Sequence, residues 1–275
     1  FFKRHGIGDL FVREFVDGIS RNNYGQGSSL HAFANVVSLA GAGFAGGSLF
    51  SIEGGNSGLA ERLLQQAGVD LRLNTRVRKI RGVEAGGRQY LVVADDGTDW
   101  SFDAVVIAAP LEVAEIEIEV PGIEGRLIAD RPFQVTHATF VAGELNRAFF
   151  GAHAGATLPG TILTVEDPKI WFSSVGRVGF SPAVTVPVYK VFSRETLSDQ
   201  QLDRMFRSRY EVERIVWRAY PSLSAAAVWP AFELAPGLYY PNAMESAVST
   251  IETEAVAARN VAGLLMNGLV ATRAI

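Results

Sequence analysis

Cysteine is absent from the 275 residues, which excludes disulfides and thiolate chemistry and leaves the redox compartment open. Concentrated positive charge is also missing. The chain has 25 Lys and Arg against 29 Asp and Glu, net −4, and no basic block points to nucleic acid or an anionic membrane surface. No nucleic-acid partner is expected. No apolar run is long enough to span a bilayer, so peripheral attachment is the form of membrane association left open. No Asn-x-Ser/Thr sequon occurs, so a secreted, N-glycosylated origin gains no support. The start, Phe1-Phe2-Lys3-Arg4-His5-Gly6, is not a signal peptide and reads like the middle of a longer chain. Histidine is scarce: His5, His31, His137 and His153 show no metal-ligand spacing, and no Ser/His/Asp constellation forms around them. No metal is expected, and no catalytic side chain can be named.

What is present is a globular composition, 48% hydrophobic and 20% charged, long enough for one or two domains. Asp9 can cap a helix carrying Leu10, Phe11, Phe15 and Val16, and a second helix is expected from Ser28 or Ser29. That helix runs into Gly41-Ala42-Gly43-Phe44-Ala45-Gly46-Gly47, which matches G-x-G-x-x-G. A dinucleotide loop needs a strand before the glycines and a helix after them. Here a helical period precedes them and Glu53-Gly54-Gly55 follows, so a surface loop is expected. Beyond it, Asn56 or Ser57 can cap a helix with Ala60, Leu63, Leu64 and Ala67 on one stripe, closed by Gly68. Val69, Leu71 and Leu73 then alternate as a strand.

Asp95-Asp96-Gly97-Thr98 marks a hairpin, and Val105–Ala109 has the all-apolar look of a buried parallel strand. From Phe133 the chain reads as antiparallel β, with strands also expected over 161–165, 170–175 and 184–192. Ser198 and Gln201 form a capping box. Trp217, Tyr220, Trp229 and Phe232 lie in a Pro- and Ala-rich connection. A closing helix from Ser249-Thr250 puts Ile251, Ala255, Ala258, Ala262 and Leu265 on one face.

Glu53-Gly54-Gly55, the helix after it and Asn74-Thr75-x-Val77-x-x-Ile80 resemble the corresponding segment of monoamine-oxidase-type flavoproteins. More specifically, the chain resembles the prenylcysteine oxidase (farnesylcysteine lyase) family. The matching words are Asn23-Tyr24-Gly25-Gln26, Glu53-Gly54-Gly55-Asn56, Gly143-Glu144-Leu145-Asn146, Lys190-Val191-Phe192-Ser193, Ala219-Tyr220-Pro221 and the ending from Leu238 to Asn260, in the family's order. The fold class expected is α/β plus antiparallel β (α+β), an FAD-linked amine-oxidase-like fold whose N-terminal dinucleotide-binding half is truncated. Residues 1–132 would hold a helical segment and the remainder of the FAD-binding domain. Residues 133–232 would form the antiparallel-sheet substrate domain, and 233–275 would return to the FAD-binding domain.

The resemblance implies FAD as cofactor and oxidation of a prenylated cysteine by O₂ to a prenyl aldehyde, cysteine and hydrogen peroxide. It also suggests a lysosomal, vacuolar or membrane-associated compartment. Hydride loss next to sulfur gives a stabilised cation that water attacks, so positioning suffices and no general base is obligatory. It places the backbone of Val77 at the adenine, and Asn242, Glu245, Thr250, Ile251 and Glu252 along the ribityl chain and ring. On the residues alone, that last segment reads as a plain helix cap. Lys190, Trp171, Phe172 and Tyr220 are the candidates for a substrate pocket. As residues, most of the aromatics read first as core, and Lys190 first as a solvent-facing lysine on an edge strand. Two other functions fit the scaffold: a non-catalytic isoprenoid- or protein-binding homologue, and an FAD amine oxidase.

Overall fold

The computed structural model describes residues 1–275 except 45, 47, 49, 84–88, 124–125, 127–130, 226–227 and 274–275, and except the side chains of 44 and 270–273. After a 3-10 turn (Phe2–His5) come α1 (Asp9–Phe11), a π turn (Val12–Val16), α2 (Asp17–Tyr24), α3 (Ala32–Leu39) and α4 (Asn56–Ala67). Then follow β1 (Val77–Gly82), β2 (Tyr90–Ala94), β3 (Asp99–Phe102), β4 (Val105–Val106), α5 (Leu111–Ala114) and β5 (Glu117–Glu119). Next are β6 (Phe133–Leu145), β7 (Thr161–Leu163), β8 (Ser174–Phe180), β9 (Pro187–Ser193), α6 (Asp199–Met205) and β10 (Phe206–Pro221). The chain ends with β11 (Glu233–Ala235), β12 (Leu238–Tyr239), a 3-10 turn (Pro241–Ser246) and α7 (Ile251–Arg273).

These elements form two units. One comprises Phe1–Phe44, Arg131–Ala227 and Glu245–Val248; the other comprises Ala45–Asp130, Val228–Met244 and Ser249–Ile275. Residues Phe1–Phe44 group with the antiparallel sheet. Two buried charges hold them there. Asp17 accepts from the backbone N–H of Ser28 (2.7 Å) and of Glu166 (2.5 Å). Arg21 donates to the carbonyls of Val165 and of Ile170, so α2 is fixed to the loop before β8. Hydrogen bonds to ionised groups are worth about 1.5–3 kcal/mol each, and more is lost when one partner is stranded.

The sheet of the first unit has the order β10-β6-β9-β8-β7, antiparallel throughout. One face buries Val141, Val175 and Val191 against Leu197, Leu202, Met205 and Phe206. The capping box forms as expected: Ser198 Oγ accepts from Gln201 N–H at 3.2 Å and Gln201 Oε1 from Ser198 N–H at 2.9 Å. The strands expected over 170–175 and 184–192 lie a few residues later, at β8 and β9. β10 has no counterpart in the sequence expectations. It carries Trp217 and Tyr220, which the sequence places in a loop. Its pairing with β6 shifts register three times, and each bulge breaks the period-two pattern by which a strand is recognised.

α3 begins at Ala32 and not at Ser28 or Ser29; its cap is His31, whose Nδ1 accepts from Ala34 N–H at 3.3 Å. His31 Nε2 lies 3.2 Å from the Ser246 carbonyl, which fixes the tautomer: Nε2–H donates and Nδ1 accepts. Burial lowers the His31 pKa below its ordinary 6.5. A proton on Nδ1 would end the cap. The unfolded chain therefore binds this proton more readily than the folded one, and stability falls as pH drops through 6.5. Replacement of His31 by Asn, itself a good cap, is expected to flatten that slope in urea titrations run at a series of pH values. An unchanged slope would disprove the assignment.

The second unit packs the sheet β3-β2-β1-β5 and the small sheet β11-β12-β4 around Ile80, Tyr90, Val92, Ile107, Leu234, Leu238 and Tyr240. The expected hairpin forms between β2 and β3, with Gly97 at φ 83°. Gly68 ends α4 in the left-handed region as expected, but the residue before α4 is Gly55, with no side-chain cap. The strand expected at 69–73 does not form; Leu71 and Leu73 are exposed and the ladder starts at Val77. An extended segment needs a neighbour to pair with, and none is present among the described residues. α7 also turns a different face inward: Ala257 and Val261 are buried while Ile251, Ala255, Ala258 and Ala262 are exposed. Tyr239 approaches that inner face, its hydroxyl 3.5 Å from the Leu264 carbonyl.

Candidate functional site

β9 is an interior strand, so Lys190 is half-buried, which corrects the expectation of a solvent-facing edge lysine. Successive residues of a strand face opposite ways. Tyr189 and Val191 belong to the core; Val188, Lys190 and Phe192 face the other side. Register brings Phe140 of β6 beside Lys190, with Glu213 of β10 beyond it in the same row. The adjoining row holds Phe192, Ala138 and Ile215. Trp217 stands 6.4 Å from Phe192, ring centre to ring centre. On the other side Lys190 meets Gly176, which has no side chain to crowd it.

The Lys190 ammonium sits 4.5 Å from the centre of the Phe192 ring, a cation–π contact. It makes no ion pair among the described residues. Burial pushes its pKa below the ordinary lysine value, because an ammonium loses hydration there without gaining a counter-charge. The result is an apolar platform that carries the Lys190 ammonium. Ile215 and Trp217 remain 44% and 40% exposed on this face.

Trp171 and Phe172 are elsewhere. They pack with Phe149 at 5.8 and 6.2 Å on the core that contains Val191, across the sheet from Lys190. Of the aromatic candidates, Tyr220 is the one near the platform. It packs edge-on against Tyr24 at 5.3 Å and lines a cavity of about 20 Å³ with Phe192 and Trp217, room for about one water. Burial raises the pKa of its hydroxyl. The sequence did not single out Phe140, Phe192, Trp217 or Glu213 for this site. For Phe140 and Phe192 the signal was alternation within their own strands; for the other two it was hidden by the bulges of β10.

Of the residues expected at the flavin, Val77 opens β1 and packs on the core that includes Tyr240 and Ala243. Asn242 and Glu245 lie on the 3-10 turn Pro241–Ser246, but Glu245 groups with the first unit and Asn242 with the second. Thr250 caps α7 through a reciprocal pair with Thr253, at 3.1 and 3.2 Å, so its oxygen serves its own helix. Ile251 and Glu252 are exposed on the first turn, where free N–H groups and the positive dipole end favour an anionic or polar ligand. A half-buried amide and an exposed carboxylate suit the hydroxyls of a ribityl chain, so these residues fit a flavin nucleotide.

The first part of the glycine run, expected as a surface loop, continues α3 in a second π turn (Ala40–Phe44) with residues 41–43 exposed; as expected, helix and not strand precedes the glycines. Gly43 and Gly46 have positive φ and open space around them; Ala45 and Gly47 lie outside the described residues. Among the described residues there is no group of His, Asp or Glu arranged to hold a metal ion, and no helix is long and apolar enough to cross a membrane.

The profile of the family described as prenylcysteine lyase matches residues 1–274. Farnesylcysteine lyase of Arabidopsis thaliana is 39% identical over 262 residues, 95% of this chain and 50% of that protein. Prenylcysteine oxidase 1-like of Mus musculus is 33% identical over 282 residues, 95% of this chain and 56% of that protein. The chain thus spans about half the length of the curated relatives it matches. A solved variant of putrescine oxidase, from a redesign of its cofactor binding, superposes with TM-score 0.52 over 78% of this chain and 53% of that one. At 12% identity that likeness concerns the fold alone, an α+β fold shared with that oxidase. The profile over nearly the whole chain and the 39% identity to farnesylcysteine lyase lead to one assignment: the chain belongs to the prenylcysteine lyase family.

Proposed function

We propose that this chain is part of a flavin-dependent oxidase of prenylated cysteines and that the Lys190 face of its five-stranded sheet receives the substrate. The observation that carries this is the lone half-buried ammonium on an apolar platform. A prenylcysteine is a long apolar chain joined to a zwitterion. Phe140, Phe192, Ile215 and Trp217 offer apolar contact to the chain, and Lys190 offers a counter-charge to the carboxylate. Glu213, beyond Phe140 in the same row, offers the opposite charge to the amino group. The names of the relatives, farnesylcysteine lyase and prenylcysteine oxidase 1-like, support the same substrate class.

Val77, Asn242 and Thr250–Glu252, all of the second unit, are the residues that would hold the flavin, which would supply a hydride acceptor. The chain's own task is to bind the zwitterion, orient the thioether and keep the apolar chain out of water. Orientation of that kind lowers a barrier without an acid or base.

Replacement of Lys190 by Met in the flavin-loaded protein is expected to raise KM for farnesylcysteine by about 10–150-fold, with kcat little changed. That range corresponds to about 1.5–3 kcal/mol for a charge-assisted hydrogen bond. With the methyl ester of farnesylcysteine as substrate, wild type and variant are expected to converge, since the carboxylate is gone. An equal loss on acid and ester would remove Lys190 from carboxylate recognition.

A further inference from the structure

On the opposite side of the five-stranded sheet from Lys190, near the start of β9, lies an open groove of about 790 Å³. Its floor includes Leu145, Pro187 and Tyr189, and its rim carries Arg147, Arg177 and Arg207. Tyr189 precedes Lys190 on β9, so strand alternation separates this groove from the proposed substrate face. The loop after β6 contributes Ala148, Ala152, Ala154 and Gly155 besides Arg147 and Leu158.

The charge in the groove runs against that of the chain. Three guanidinium groups line it against one carboxylate, Glu144, although the whole sequence carries net −4. None of the three arginines has a carboxylate partner among the described residues; Arg177 has only the Phe180 ring, 5.8 Å away. Elsewhere in the same unit arginines do pair: Arg194 with Glu166, and Arg209 with Asp199 and Asp203. Three unpaired cations in one concavity repel each other and focus a positive potential on it. A carboxylate has two oxygens and is matched by one or two arginines, whereas a phosphate has more oxygens for forked N–H pairs.

We infer that this groove is a second ligand site, which takes a phosphate group through Arg147, Arg177 and Arg207. The phosphate can come from a soluble phosphate compound or from the headgroup of a phospholipid, and the two sources are separable. The protein is titrated with inorganic pyrophosphate by calorimetry and floated with phosphatidylcholine vesicles made with and without phosphatidic acid. Binding of pyrophosphate identifies a soluble ligand. Flotation that depends on phosphatidic acid, without pyrophosphate binding, identifies the headgroup. In either case the triple variant Arg147→Gln, Arg177→Gln, Arg207→Gln loses the signal. The charge-matched control Arg4→Gln, Arg62→Gln, Arg259→Gln, whose positions are all exposed, keeps it. All six positions are on the surface, and the circular dichroism of both variants should match wild type. If neither probe binds, if the triple variant binds as wild type does, or if both variants lose the signal equally, the site does not exist.

Discussion

The 275-residue chain produced by itself is expected to be colourless after purification and to show no oxidase turnover. The residues proposed to meet a flavin are Val77, for the adenine end, and Asn242 and Thr250–Glu252, for the ribityl side. Among the described residues, no strand–glycine loop–helix unit is present to take the pyrophosphate at a helix N-terminus. The glycine run follows helical turns. The second unit also leaves much of its apolar surface uncovered. α4 has no buried residue, and Leu63, Leu64 and Leu73 are all exposed. β4 pairs only with β12 among the described strands, which leaves an apolar edge prone to self-association. Denaturation followed by an absorbance spectrum checks this. Released flavin near one equivalent per chain would contradict it and would restore Gly41–Gly46 as a phosphate loop.

Replacement of Gly143 by Ala should be the most destabilising single methyl addition in the five-stranded sheet. A Cβ at this position would stand 2.2 Å from the backbone oxygen of Ser208 and 3.1 Å from Arg209 Cα. Both are main-chain atoms of the paired strand, so no flexible side chain can yield, and β6 and β10 must separate locally. Overpacking of this kind costs about 1–3 kcal/mol and sometimes more; a loss of about 3 kcal/mol or above is expected by urea denaturation. Gly160→Ala is the control, since a Cβ there meets nothing within 4 Å. Equal midpoints for the two variants would show that the strands are not held this closely.

Gly143 also marks the limit of what the sequence conveys. As part of Gly143-Glu144-Leu145-Asn146 it contributes to the family resemblance, but only the pairing of β6 with β10 gives the reason for a glycine there. Features determined over a few residues were legible directly. These include the hairpin at Asp95–Thr98, the capping box at Ser198, the left-handed Gly68 and the helical period before the glycine run. Each depends on contacts within about one turn or one hairpin, and the residue types report those contacts.

What only the tertiary structure decided depends on register and on distant polar partners. The sequence put Lys190, Trp171 and Phe172 into one pocket. The pairing of β9 with β6 and β8 puts the lysine on one face and the two aromatics on the other. A shift of one residue along a strand reverses its faces, and the bulges that set the register of β10 leave no periodic trace. Likewise, nothing local in the sequence identifies Val165, Glu166 and Ile170 as the partners of Asp17 and Arg21. Buried charges must be satisfied. Here the groups that satisfy them lie about 150 residues away in the chain and join the first helices to the sheet.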